Sequence, residues 1–479
     1  MSAQSIRRAS RRPRPPSMKC SGFSARSATS STKQKSTSRR RKGTTPMIDF
    51  NIVDYGARGD GGNDAQAIQK AIDACSKAGG GRVVVPPGVF KSGPVKLASR
   101  LEMHLEAGAS LSAIPDIRLY PDYGLNNLGG EGQKWIYADS ADFVSITGPG
   151  VIDGCGMQWM SGEEKHRFRM EPGRPFVINL ENCRHVTLRD VTIIDAPFWT
   201  VHLLGCDDVL VQGVRILNNL KIGNSDGINP DRCRNVRIIG CHIEAADDCI
   251  CLKSEEPQLE ERYGPCENIV VQGCTLMSTS CAVKAGTATH GVIRNLVVDS
   301  CVITRTNRGL GLAMRDGGTI TNVRFSNIVI ETRLFDPCWW GAGEPIYVTA
   351  FRRKAAAPLG VIENAFFANI SCVSENGVYV AAESPEHVRN VVFDNVSVLL
   401  AKHSRHSGGY YDRRPSAVPG RLEHPTAGFF ISNATDVALR NCSVNYAPNL
   451  PDYYGRAAEA ENAPGLSISG MTGAHSARG

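Results

Sequence analysis

The segment "CRHVTLRDVTI" (183–193) returns as "CDDVLVQGVRI" (206–216), "CRNVRIIGCHI" (233–243) and "CENIVVQGCTL" (266–276). It continues as "IRNLVVDSCVI" (293–303), "ITNVRFSNIVI" (320–330), "VIENAFFANISC" (361–372), "VRNVVFDNVSV" (388–398) and "ATDVALRNCSV" (434–444). Each unit joins a polar turn, an alternating β-branched run, an Asn/Asp/Gly corner and a second short alternating run. The first six units begin 23, 27, 33, 27 and 27 residues apart, with wider spacings of 42 and 46 later. Period-two alternation predicts strands with one buried face. A repeat in the twenties without helical punctuation predicts a solenoid of such strands. The expected fold is therefore all-β, a single-domain parallel β-helix with coils about 4.8 Å apart. Leucine-rich-repeat spacing is absent, and a propeller would need blades of roughly 40 residues.

A solenoid must cover its open end. "NDAQAIQKAIDAC" (63–75) places Ala65, Ile68, Ala71, Ile72 and Cys75 on one helical face, predicting an N-terminal capping helix. Asn63 and Gln66 have capping-box spacing. The β-helix is expected over residues 47–455, followed by a flexible Ala/Gly/Ser-rich tail over 456–479. Residues 1–46 carry 13 Lys/Arg and no Asp or Glu, a Ser/Arg/Pro-rich composition that predicts disorder or a mis-assigned start at Met1 rather than Met47. Without that head the overall charge of +7 becomes about −6, so a nucleic-acid partner is not expected. No apolar run is long enough to span a membrane. No apolar signal segment follows the Arg pairs, so a cytoplasmic location is expected. Many of the 16 cysteines, among them Cys241, Cys274, Cys301 and Cys442, fall in apolar slots of the repeat, as buried free thiols would. None has zinc-site spacing, and the repeat selects no oligomeric state.

The segment "NSDGINPDRCRNVRIIGCHIEAADDCICLKS" (224–254) sets Asp226 21 and 22 residues before Asp247 and Asp248. That is one coil, so Asp226 and Asp247 are expected at nearly the same angle on adjacent coils. Stacked carboxylates repel, which raises one pKa and suits a general acid facing a base or nucleophile. Asp248 joins them only if the chain bends, because a regular strand sends neighbours to opposite faces. The competing reading is turn chemistry, since Asn, Asp and Gly dominate corners.

"NSDG" followed by "DD" resembles the catalytic signature of glycoside hydrolase family 28, the polygalacturonase family of right-handed parallel β-helices. "VDYGARGDGGNDAQAIQKAIDAC", "GPGVIDGCGMQWM" (148–160) and "APFWTVHL" (196–203) extend the resemblance over roughly residues 50–400. It implies Asp247 as general acid, Asp226 and Asp248 holding and activating a water, Asn224 shaping the site, inversion of configuration, and no metal or cofactor. The family's Gly-His-Gly is replaced by "STSCAVKAGT", with Cys281 in the His position. Its Arg-Ile-Lys clamp is replaced by "NRGLGLAMRDGG", with Gly311 and Ala313 at the basic positions. Lys253, Lys284, Arg308 and Arg315, on neighbouring coils, are the candidates to bind a uronate instead.

His202, after the aromatic pair Phe198 and Trp199, is a candidate sugar contact or a packed corner residue. Trp339 and Trp340 with Glu344 and Tyr347, in the Gly/Pro-rich "DPCWWGAGEPIYVTAFRR" (336–353), suit stacking on pyranose faces or a subunit interface. The expected activity is exo-acting hydrolysis of galacturonate- or rhamnose-containing pectic oligosaccharides. The alternatives are a lyase using the three aspartates as calcium ligands with Lys284 or an Arg as base, and a glycan-binding or structural β-helix without catalysis.

Overall fold

The computed structural model describes residues 48–122, 132–255 and 257–473. The basic head and residues 474–479 lie outside them. The chain winds as a right-handed parallel β-helix, and its rungs follow sequence order. One wall is a sheet of 12 strands running from Val95–Lys96 through Ile228–Asp231, Ile250–Ser254, Cys281–Thr289 and Arg308–Met314 to Ala458–Glu461. The repeats build the remaining walls as one continuous parallel sheet.

The repeat has a physical cause at its third residue. Asn235, Asn268, Asn295, Asn322, Asn364 and Asn390 all sit at φ between 52° and 60°, a left-handed corner that Asn tolerates better than other side-chain-bearing residues. Each amide donates along the stack: Asn268 to Asn235 at 3.1 Å, Asn295 to Asn268 and Asn322 to Asn295 at 2.8 Å. Inside, Val186, Val209, Val236, Ile269, Leu296 and Val323 occupy one register column and are buried. Phe325, Phe367 and Phe393 stack with centroids 4.9 and 5.0 Å apart, the rung spacing itself. The described cysteines are all unbonded, and all but the half-buried Cys338 lie inside. Several thiols donate to carbonyls one rung away, as Cys233 does to Leu203 at 3.1 Å.

The helix Ala65–Lys77 covers the first coil and buries Ala67, Ile68, Ala71, Ile72 and Cys75. Ala67 replaces the expected Ala65, which is only half-buried. Asn63 accepts from Ala65 N at 3.0 Å, but its carbonyl also accepts from Gly93 N, and no capping box with Gln66 forms.

At the other end the expected flexible tail does not begin at 456. Ala458–Glu461 pairs with Phe429–Ser432, Ser467–Ser469 with Thr435–Arg440, and Thr472–Gly473 with Ser443–Tyr446. These short strands add a further coil by backbone hydrogen bonding, which small Ala, Gly and Ser side chains permit. Among the described residues no helix is long and apolar enough to cross a membrane.

Two excursions interrupt the chain just before it enters the twelve-stranded wall. Met160–Glu163 and Phe168–Met170 form an antiparallel hairpin. Residues 402–425 swing out and return through the antiparallel pair Tyr410–Asp412 and Arg421–Glu423.

Candidate active site

Ile228 pairs with Ile250, so two residues earlier Asp226 lies level with Asp248. Gly227 N accordingly donates to Asp248 O at 2.9 Å. The stacked pair is therefore Asp226 and Asp248, not Asp226 and Asp247 as the 21-residue spacing suggested. The coil between these strands is 22 residues long, which moves the register by one. Gly227 is required there: a Cβ would stand 2.4 Å from Cys249 O.

Asp247 precedes the strand, in a bend that the next coil fixes. Ser278 Oγ donates to Asp247 O at 2.6 Å, Thr279 Oγ1 donates to Ala246 O, and Ser280 Oγ donates to Asp248 Oδ1 at 3.1 Å. Asp248 N closes the turn onto Asp247 Oδ1 at 3.0 Å. "STS" (278–280) is thus a positioning segment that motif reading passed over in favour of Cys281. Asn224 adopts φ 58° and brings its amide to 3.5 Å from Asp247 Oδ2. Arg174 holds that corner through Pro197 O, Gly223 O and Asn224 Oδ1.

Asp226 and Asp248 are 2% and 1% exposed, whereas Asp247 is half-buried and faces an open cleft. Burial, and then the charge of Asp248, push the Asp247 carboxyl above its usual range. Burial and the neighbouring Asp247 push Asp226 well above it. Asp248 moves the other way: burial opposes ionisation, but Lys284 and Lys253 outweigh it. Lys284 pairs directly with Asp248. Lys253 Nζ lies 4.0 Å from Asp226 Oδ2 and 4.2 Å above the Trp199 ring. The site therefore sets an Asp247 that holds its proton more tightly than an ordinary carboxyl beside an Asp248 whose ionised form is favoured.

One oxygen of Asp226, one of Asp248 and Cys251 Sγ all lie within 4.8 Å of one another. These donors do not fit a metal cation. Ammonium groups already stand at both carboxylates, and Cys251 stays a thiol, its pKa raised by burial, donating to Gly286 O at 2.7 Å.

The remaining predicted contacts divide. Trp339 and Trp340 reach the cleft beside Asn224 and Asp247, with Trp340 43% exposed. Lys253 and Lys284 stand behind the acids instead of facing the cleft. His202 does not reach it: fully buried, it stacks on Phe176 and lies 2.9 Å from the Asn179 amide and 3.5 Å from Asp231. Its neighbours Phe198 and Trp199 are buried too. Arg308, Arg315, Glu344 and Tyr347 form an internal brace. Arg308 bonds Glu344 at 3.2 Å and Asp412 O at 2.6 Å and lies over the Tyr347 ring, while Arg315 reaches Tyr347 Oη at 2.9 Å. All four are less than a tenth exposed, are engaged with one another and with segment 402–425, and do not line the cleft. The segment 402–425, whose Gly408-Gly409 and Tyr410-Tyr411 mark it in the sequence as a long loop leaving the wall, returns to cover them.

Sequence reading also missed the hairpin. Arg167 and Met170 line the cleft from that side, with Cys338 and Trp339 opposite. His166 Nε2 meets Asp336 Oδ2 at 3.0 Å and ties the two walls. Arg414 braces the second wall through Pro337 O and Trp339 O.

The sequence profile described as Glycosyl hydrolases family 28 matches residues 75–407, well over half of the chain. The chain belongs to this family. It is 33% identical over 248 residues to a probable polygalacturonase of Vitis vinifera, covering 49% of this chain and 50% of that protein. It is 25% identical over 364 residues to an endo-polygalacturonase of Pectobacterium carotovorum subsp. carotovorum, covering 71% and 85%. The chain spans about half the length of the first of these relatives. In structure it resembles an exopolygalacturonase from Thermotoga maritima, with TM-score 0.68, 24% identity, and 84% and 93% of the two chains covered. The family 28 exopolygalacturonase of Yersinia enterocolitica gives TM-score 0.69 at 20% identity, over 87% and 78%. At these identities the structural likeness establishes the fold.

Proposed function

We propose that this family 28 protein hydrolyses pectic oligosaccharides containing galacturonate or rhamnose, by inverting general acid–base catalysis and from a chain end. The observation that carries the reading is Asp247 on the cleft, its pKa raised by burial and by Asp248, next to an Asp248 that pairs with Lys284 and is shifted the other way. Asp247 gives its proton to the glycosidic oxygen as the C–O bond breaks. A water loses its proton to Asp248 as its oxygen attacks the anomeric carbon, and Asp226 orients that water. Solvent then reprotonates Asp247 and deprotonates Asp248. Inversion rests on the family motif. Exo-action is supported by the His166–Asp336 tie and the Arg414 brace, which wall the cleft beside the acids.

The calcium-dependent lyase is disfavoured because two of its three carboxylates already carry ammonium partners. The test follows reducing ends and ultraviolet absorbance together on galacturonide and rhamnogalacturonide oligosaccharides, with Asp247→Asn as control. New reducing ends without absorbance, abolished in Asp247→Asn, are expected. Absorbing unsaturated products, or turnover that survives Asp247→Asn, would overturn the reading.

A further inference from the structure

The cations that sequence reading offered for a sugar carboxylate are engaged elsewhere. Lys284 pairs with Asp248, Lys253 stands at Asp226 over Trp199, Arg308 bonds Glu344, and Arg315 is buried against Tyr347 and Thr349. Moving any of them to a substrate would leave a buried carboxylate or ring without its partner, which is strongly destabilising for a buried ion pair. Among the described residues lining the cleft, a single cation remains, Arg167 at the hairpin. It lines the same space as Asp247, Asn224, Trp339 and Trp340. Its Nε donates to Glu164 at 3.2 Å, and neither Nη has a hydrogen-bond partner among the described residues. Glu164 is 42% exposed on its side chain, so this pair is a surface one and contributes little. Next to Arg167, the His166–Asp336 contact fixes the hairpin against the Trp339 wall.

We propose that Arg167 determines specificity for an acidic sugar in this cleft, its two Nη groups donating to the carboxylate while the tryptophan wall packs the ring. The guanidinium fork suits a planar carboxylate as a lysine would not. This assignment rests on the glycosidase reading for its kinetic test but not for its binding test.

The experiment compares wild type, Arg167→Gln and Arg167→Lys on trigalacturonate and on its carboxyl-reduced, uncharged counterpart. Arg167→Gln is expected to lower kcat/KM on the acid by about 10- to 100-fold, the range of a charge-assisted hydrogen bond. The uncharged substrate should change by no more than about twofold, and Arg167→Lys should fall between the two. Equal losses on both substrates, or no loss on either, would overturn the assignment. If wild type cuts neither compound, the functional reading is decided by the rhamnogalacturonide test above, and tryptophan quenching by the same two compounds decides Arg167 alone. Preference for the acid that disappears in Arg167→Gln supports the assignment. Equal binding of both by wild type, or no binding of the acid, overturns it.

Discussion

Lys284 is the residue on which the charge pattern of the site depends, because it holds Asp248 ionised at 1% exposure. A base with a lowered pKa is active above that pKa and lost as pH falls through it. Lys284→Met removes the ammonium, so the Asp248 pKa rises and the acid limb of the kcat/KM–pH profile should move up by about one unit or more. An unmoved limb in a folded variant would show that Lys284 does not hold the base. The residue scale also shows where sequence spacing stops being sufficient. The three acids were visible because one coil separates them. Which two are level was not, since a shift of one residue in coil length exchanges Asp247 for Asp248. The burial of His202, Arg308, Arg315, Glu344 and Tyr347 was equally hidden. It depends on partners such as Asp231 and Asp412, which reach them only through the coil.

At the scale of elements, the rungs were legible because each carries its own signals, alternation for the strand and Asn for the left-handed corner. Asn295 accepts from Asn322 and donates to Asn268 at φ 57°. Asn295→Ala should therefore cost about 2 kcal/mol, the sum of a strained corner and two modest hydrogen bonds. The expected result is a lower urea midpoint with kcat/KM unchanged; an unchanged midpoint would show that the ladder follows the fold without stabilising it. The hairpin at 160–170 was not legible. "MSGEEKHRFRM" is polar and charged, and among the described residues its short strands form a ladder with each other and with no strand of the coils. Yet it supplies one wall of the cleft. "STS" (278–280) was passed over for the opposite reason: its hydroxyls bond to the preceding coil and leave no periodic trace.

For the molecule as a whole, stability comes from stacking, so the coil at residues 458–473 contributes as well as the capping helix. Small side chains made residues 458–473 look unstructured, while their backbone pairs with Phe429–Ser432 and the strands beside it. Ending the chain at Ala457 exposes that strand edge to other molecules. Thermal unfolding followed by light scattering should then show a lower transition with earlier aggregation. An unaltered transition would mean that the final coil contributes nothing.

The central claim is the division of labour between Asp247 and Asp248, and an aryl α-galacturonide tests it most directly. Its phenolate leaves without needing a proton. Asp247→Ala should lose about 100-fold or more on a galacturonide oligosaccharide, as loss of a general acid does, but far less on the aryl substrate. Asp248→Ala should lose activity on both. Equal losses for Asp247→Ala on the two substrates would contradict the assignment of Asp247 as the acid.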